Sequence, residues 1–258
     1  MERLTNPDLI AIIDKRMLKS LLKTIAEIIY PATCNACKTK LKNKPAIDNF
    51  VCLECWQKAK RNLPPFCYRC GRHLSANNLT KNICPSCVKR EHYFDRAFSP
   101  CAYEGIMKKL IYEFKYNNKD YLGLPLSKFM IDFIKEYRLP IELMDFIIPI
   151  PLHKTRLRER EFNQAQLLSN YIAAEFKRII VPSALKRIRN TKSQTELSDK
   201  ERLLNIKESF SLNYGHDMKN KNILLVDDVF TTGATTSEAA FTLKEAGANI
   251  VFVLTLAN

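Results

Sequence analysis

The sequence predicts an α/β fold, in which crossover helices cover a small parallel sheet, with a metal-folded module ahead of it. Three observations carry that prediction. Four apolar residues, Ile223 to Val226, run into two adjacent carboxylates, Asp227 and Asp228, as in a strand covered on both faces with its carboxyl end at a ligand site. A hydroxyl-rich turn, Thr231-Thr232-Gly233-Ala234-Thr235-Thr236, comes next, and Ala234 to Gly247 reads as a helix. Eight of the nine cysteines fall in four Cys-x-x-Cys pairs, all before residue 90.

At 258 residues, with an apolar fraction of 46%, the chain is long enough for one α/β domain and an appendage. Residues 1–33 are taken as an amphipathic N-terminal helix. Its apolar positions Leu9, Ile10, Ile13, Met17, Leu21, Ile25 and Ile28 keep helical spacing, with charges of both signs between them. A signal peptide would have an uninterrupted apolar core, and no run of eighteen apolar residues is present, so the expectation is a cytoplasmic protein without membrane insertion. The formal net charge of +14 favours polyanionic partners without locating a patch.

Residues 34–92 form the cysteine module. Two-residue spacing lets both thiolates of a knuckle face one tetrahedral ion, and Zn²⁺ needs two knuckles. Cys34, Cys37, Cys52, Cys55, Cys67, Cys70, Cys84 and Cys87 therefore supply two structural zinc sites, a double zinc ribbon. Similar gaps within the two halves favour sequential over crossed pairing, and four pairs together favour zinc over a redox dithiol. Cys101 stands outside the pattern as a core thiol. Lys38, Lys40, Lys42 and Lys44, with Trp56, Phe66 and Tyr68, fit either a single-stranded DNA surface or aromatic shielding of the zinc sites beside solvated lysines.

Residues 93–258 carry the α/β pattern. Ile106 to Phe114, Leu122 to Tyr137 and Arg160 to Ile180 read as helices. Asp145 to Leu152 and Ser183 to Ile188 read as strands, Arg189 to Glu208 as a polar loop, and Ala248 to Leu256 as the last strand. A P-loop would need Lys followed by Ser or Thr after its glycines, and a receiver domain would need many more strands and helices after the acidic pair.

The string from Ile223 to Thr236 resembles the phosphoribosyl pyrophosphate (PRPP) motif of type I phosphoribosyltransferases. The resemblance implies that Asp227 and Asp228 bind the ribose hydroxyls and act in any catalysis, while Thr231, Thr232, Gly233, Ala234, Thr235 and Thr236 cradle the 5-phosphate of PRPP or ribose 5-phosphate. It extends along the chain through Tyr30-Pro31, Tyr103-Glu104-Gly105, Phe114-Lys115-Tyr116, Pro149-Ile150-Pro151-Leu152, Phe162-Asn163-Gln164, Gln194, Leu197-Ser198, Arg202 and Asn205. In this order the residues resemble the ComF (ComFC) competence family, a double zinc ribbon joined to a type I phosphoribosyltransferase-like domain. Glu161 and Glu196 stand where that family usually has Gly. The resemblance implies a role in natural transformation, acting on incoming single-stranded DNA with competence-machinery proteins as partners. Two other function classes are a phosphoribosyltransferase working on a small acceptor and a PRPP-sensing regulator without chemistry. Pyrophosphate is expected to meet Pro149, Ile150, Pro151 and His153, with Arg189, Lys192 and Gln194 as a lid. Mg²⁺ is expected to accompany PRPP, neutralising its oxygens.

Overall fold

The computed structural model describes residues 32–74, 82–190, 206–213 and 215–258. The expected N-terminal helix up to Pro31, together with Lys192, Gln194, Glu196, Leu197, Ser198, Arg202 and Asn205, lies outside the described residues.

In chain order the elements are β1 (Ala46–Ile47), β2 (Val51–Cys52), α1 (Leu53–Lys58), α2 (Pro85–Val88), β3 (Arg96–Phe98), α3 (Gly105–Tyr116) and α4 (Gly123–Glu136). After them come β4 (Phe146–Pro149), α5 (Lys154–Arg160), α6 (Gln164–Phe176), β5 (Ile179–Ile180), β6 (Leu185–Arg187), β7 (Phe210–Leu212), β8 (Asn222–Val229), α7 (Ala234–Glu245) and β9 (Ile250–Ala257). Five strands make one sheet in the order β3-β9-β8-β4-β5, parallel at every pairing. β8 and β9, eight residues each, are its centre, in register from Asn222 opposite Ile250 to Val229 opposite Ala257.

Alternation along these strands divides the interior in two. Leu224, Val226, Leu254 and Leu256 face a core filled by α3, α4 and α6, with Phe114, Phe129 and Leu168 fully buried. Ile223, Leu225, Val251 and Val253 face a second core closed by Ala239, Ala240 and Leu243 of α7. Cys34, Cys52 and Cys55 belong to the first core; Cys67, Cys70 and Cys84 belong to the second. The two halves of the cysteine module therefore dock on opposite faces of one sheet.

The structure corrects the expected elements in four places. The strand expected at Ser183 to Ile188 is not in the parallel sheet: its core, β6, pairs antiparallel with β7 in a separate two-stranded sheet. The sheet's outer strands are instead β3 and β5, of three and two residues, too short for any period to be read. The helix expected from Arg160 starts at Gln164, because Glu161 takes a left-handed backbone conformation (φ 63°) and Asn163 provides the N-cap of α6. The basic residues after His153 form the short helix α5.

Candidate functional site

The eight paired cysteines gather into two groups of four, Cys34 with Cys37, Cys52 and Cys55, and Cys67 with Cys70, Cys84 and Cys87. Within each group the sulfurs all lie within 4.8 Å of one another. The pairing is thus sequential. A tetrahedral ion at about 2.3 Å from each sulfur requires sulfur–sulfur edges of about 3.8 Å. The separations of 3.8 Å for Cys37–Cys52 and 3.6 Å for Cys70–Cys84 meet that requirement. Backbone N–H groups of Cys52 and Cys84 donate to the sulfurs of Cys34 and Cys67, each at 3.3 Å, as suits thiolates holding a cation. Both groups fit structural zinc. Cys101 is fully buried, and burial pushes its thiol up to about 12, in keeping with a core role.

Of Trp56, Phe66 and Tyr68 in this module, the first two dock on α4 and its C-terminal end. Trp56 stacks on Phe129 of α4 with ring centroids 3.8 Å apart, and Phe66 packs edge-on against Phe133 and Tyr137. Lys38 is ion-paired with Glu113 of α3. Of the three, only Tyr68 keeps an exposed ring, 57% accessible, with Arg96 above it.

At the carboxyl end of β8, Asp228 is 7% exposed and its Oδ1 lies 2.8 Å from Nζ of Lys115, an ion pair carried across from α3. Asp227 keeps partial access, and its Oδ1 accepts the backbone N–H of Asp228 at 2.8 Å. Burial, with the neighbouring Asp228 charge added, raises its carboxyl to about 7. The strand then turns into α7 through Gly233, whose φ of 77° suits glycine. A side chain there would meet the rings of Phe230 at 2.4 Å and His92 at 2.9 Å, so the position is held from behind by aromatic packing.

The four threonines divide their work. Thr232 and Thr236 are buried and build the turn: Thr232 Oγ1 accepts the N–H of Ala234, and Thr236 Oγ1 donates to the carbonyl of Gly233. Thr231 and Thr235 line the cleft.

That cleft, of about 150 Å³, is lined by Asp227, Asp228 and the two threonines together with Lys115, Tyr116, Arg156, Arg160 and Arg187. Arg160 lies over the Tyr116 ring at 5.2 Å and donates to Gln164 Oε1 at 3.3 Å. Burial, reinforced by Arg156, lowers the Arg187 guanidinium to about 10, and the carboxylate of Asp227 acts against that shift.

Of the residues expected at pyrophosphate, Pro149 ends β4 opposite Val226, and Ile150 reaches the cleft wall. Asn163 Nδ2 fixes the loop by donating to the carbonyl of Ile150 at 3.0 Å. Pro151 and His153 instead line an adjoining groove of about 480 Å³, with Arg187 bordering both spaces. His153 caps α5, its Nδ1 accepting the N–H of Thr155 at 3.3 Å. Arg189 donates to the carbonyl of Lys207 at 2.7 Å and lines neither space. Glu161 is exposed and outside the cleft lining. There its cost is the left-handed backbone that glycine adopts freely.

Arg187 carries no signal in the sequence, and Lys115 and Tyr116 stand out only as resemblance residues. Each reaches the cleft from an element remote in sequence. The single available signal is the basic and aromatic cluster Lys115-Tyr116 at the end of a strongly amphipathic helix.

A parallel sheet that ends in paired carboxylates and a threonine turn, flanked by two four-cysteine clusters, defines an α/β protein with a double zinc ribbon. Residues 25–92 match the double zinc ribbon domain family. Competence protein F of Haemophilus influenzae is 30% identical over 212 residues, covering 81% of this chain and 90% of that protein. Competence protein ComFC of Bacillus subtilis is 32% identical, covering 78% and 80%. DNA utilization protein YhgH of Escherichia coli K12 is 28% identical, covering 86% and 95%. The chain belongs to the ComF competence-protein family. Among solved structures, an allosteric regulatory enzyme of purine biosynthesis superposes on 56% of the chain with a TM-score of 0.38 and 16% identity, covering 29% of that structure's chain.

Proposed function

We propose that this protein binds the ribose 5-phosphate end of PRPP in the cleft at the end of β8 and acts in the handling of incoming DNA during natural transformation. The observation that carries the ligand reading is a single cleft lined by two carboxylates and by four cationic side chains, Lys115, Arg156, Arg160 and Arg187. Ribose presents vicinal hydroxyls that donate to Asp227 and Asp228, while its phosphates need positive charge and N–H donors. The start of α7 supplies the donors for the 5-phosphate, beside Thr231 and Thr235. Arg156 and Arg187 in the same lining support a pyrophosphate group beside the ribose. The names of the relatives, competence and DNA utilization proteins, support the pathway reading.

Asp228 is already engaged by Lys115, so the cleft holds no dedicated oxygen cage for a divalent ion among the described residues. That composition fits Mg²⁺ entering on the ligand's own oxygens, where it would neutralise charge that grows on a departing pyrophosphate. Reduced thiols at eight zinc-ligating positions suit the cytoplasm, and among the described residues no helix is long and apolar enough to cross a membrane.

Calorimetric titration with PRPP and with ribose 5-phosphate, each with Mg²⁺, tests the reading. Asp228→Asn is expected to weaken binding by about ten- to a hundred-fold, since a charge-assisted hydrogen bond is worth about 1.5–3 kcal/mol. No heat with the unaltered protein, or unchanged affinity in the variant, would refute the assignment of the cleft.

A further inference from the structure

The lining of the cleft joins an exposed helix face. α3 brings Lys115 and Tyr116 to the cleft, and Tyr112, Lys109 and Lys108 precede them on the same helix. Tyr116 and Tyr112 are 49% and 56% accessible, and their ring centroids are 5.0 Å apart on successive turns of one helix face. Lys108 and Lys109 are exposed one turn further on, and the Arg160 guanidinium covers the inner tyrosine. The helix's one carboxylate, Glu113, is drawn to the other side by Lys38 and Lys119 of neighbouring segments. Glu104, just ahead of the helix, is paired with Lys60 at 2.8 Å. The solvent-facing side chains along this track are aromatic and cationic.

From this we infer that the outer face of α3 is a stacking track for single-stranded nucleic acid, leading one end of the strand to the mouth of the sugar-phosphate cleft. Unpaired bases stack on aromatic faces whatever their sequence, and lysines and arginine beside the rings meet the phosphates between them. A double helix hides its base faces and gains nothing from exposed tyrosines. The track lies on α3, whereas Trp56 and Phe66 of the zinc ribbons are spent on docking.

The inference rests on the cleft reading above, and the two fail separately when both ligands are titrated against the same proteins. Fluorescence anisotropy with a labelled oligothymidylate measures strand binding, and calorimetry with ribose 5-phosphate measures the cleft. Tyr112→Ala is expected to lower oligonucleotide affinity about ten-fold by loss of one stacked base. Lys108→Ala with Lys109→Ala should lower the salt dependence of binding by about one unit in its logarithmic slope. Ribose 5-phosphate affinity and thermal stability should hold in all of them, since none of the three side chains lines the cleft.

Oligonucleotide affinity within about two-fold of the parent for Tyr112→Ala would overturn the track, because a stacked base is worth more than that. Equal loss on double-stranded DNA would overturn it as well. Light scattering that shows a dimer dissolved by Tyr112→Ala, with strand binding unchanged, would give the face to a second copy of the chain. A parent protein that binds the oligonucleotide through Tyr112 but takes up no ribose 5-phosphate would leave the track standing and remove the cleft reading alone.

Discussion

The two zinc ribbons are alike in sequence pattern and unlike in what they hold. The first leans on helices: Trp56 on Phe129, Lys38 on Glu113, and Asn35 accepting from Lys119 at 2.9 Å and from the Tyr121 hydroxyl at 3.2 Å. The second leans on the sheet edge and the phosphate turn. Gly71 comes so close to β3 that a side chain would meet the Ala97 carbonyl at 2.6 Å, and Arg69 Nη1 donates to the carbonyl of His92 at 3.4 Å. His92 in turn stacks on Phe94 and meets Phe230 directly behind Gly233. One ribbon therefore braces the wall that carries Lys115 and Tyr116, and the other braces the turn proposed to seat a phosphate. Equivalent metal sites have unequal bearing on the cleft.

The largest effect should come from removing a ligand of the second ribbon. Cys84→Ser is expected to lose one of two zinc ions, measured by elemental analysis, and to abolish ribose 5-phosphate binding, since structural zinc supplies the folding free energy of such a module. Cys52→Ser should lose one ion as well, yet leave more binding behind. Equal binding losses in the two would break the comparison.

Gly233→Val asks whether the brace matters without touching metal. A branched residue at φ 77° costs about 1–3 kcal/mol in backbone strain, and its Cβ would also displace Phe230 and His92. Loss of stability above about 3 kcal/mol by chemical denaturation, together with lost sugar-phosphate binding and full zinc content, is the expected outcome. The Cβ points behind the turn, so the damage comes from displaced packing rather than from filling the phosphate seat.

Trp56→Ala probes the first ribbon in the same way. Loss of a large aromatic from a packed interface costs about 3 kcal/mol at the low end of the range. Ribose 5-phosphate affinity, measured by calorimetry, should change less than in Gly233→Val, because Trp56 supports the helical face.

The smallest effect is electrostatic. The carboxyl of Asp227 is raised to about 7, well above the ordinary range near 3.9 that it regains on unfolding. Between pH 4 and 7 the folded chain therefore binds more protons than the unfolded one, and stability contributed by this group falls as pH rises through that window. Melting temperatures of the parent should decline more steeply across it than those of Asp227→Asn. Parallel curves would show that Asp227 ionises normally.

The features legible in the sequence are those contiguous in it. The run from Ile223 to Thr236 gives strand, carboxylates, turn and helix in order, and each keeps its place. Cysteine spacing gives both metal sites, because two thiolates per knuckle need no distant information. Contacts that cross the chain are not legible. Lys115 reaches Asp228 over more than a hundred residues, and Arg187 comes from a strand outside the main sheet. At His153 the sequence shows a basic residue after the Pro149 to Pro151 run without showing that the imidazole also caps the helix that begins there. Trp56 looks available because sequence shows a ring without showing the Phe129 that covers it.

The order of the sheet sets a timetable for synthesis. Its two longest strands, β8 and β9, follow both ribbons in the chain and leave the ribosome after them. Zinc can bind early, but the face that meets the phosphate turn must wait for most of the chain. During that interval His92 and Phe94 lack the Phe230 ring that packs on them. A chain interrupted before Asn222 is left with metal-loaded knuckles and no sheet to dock on, so premature termination should yield sticky, zinc-bound fragments rather than a small independent domain.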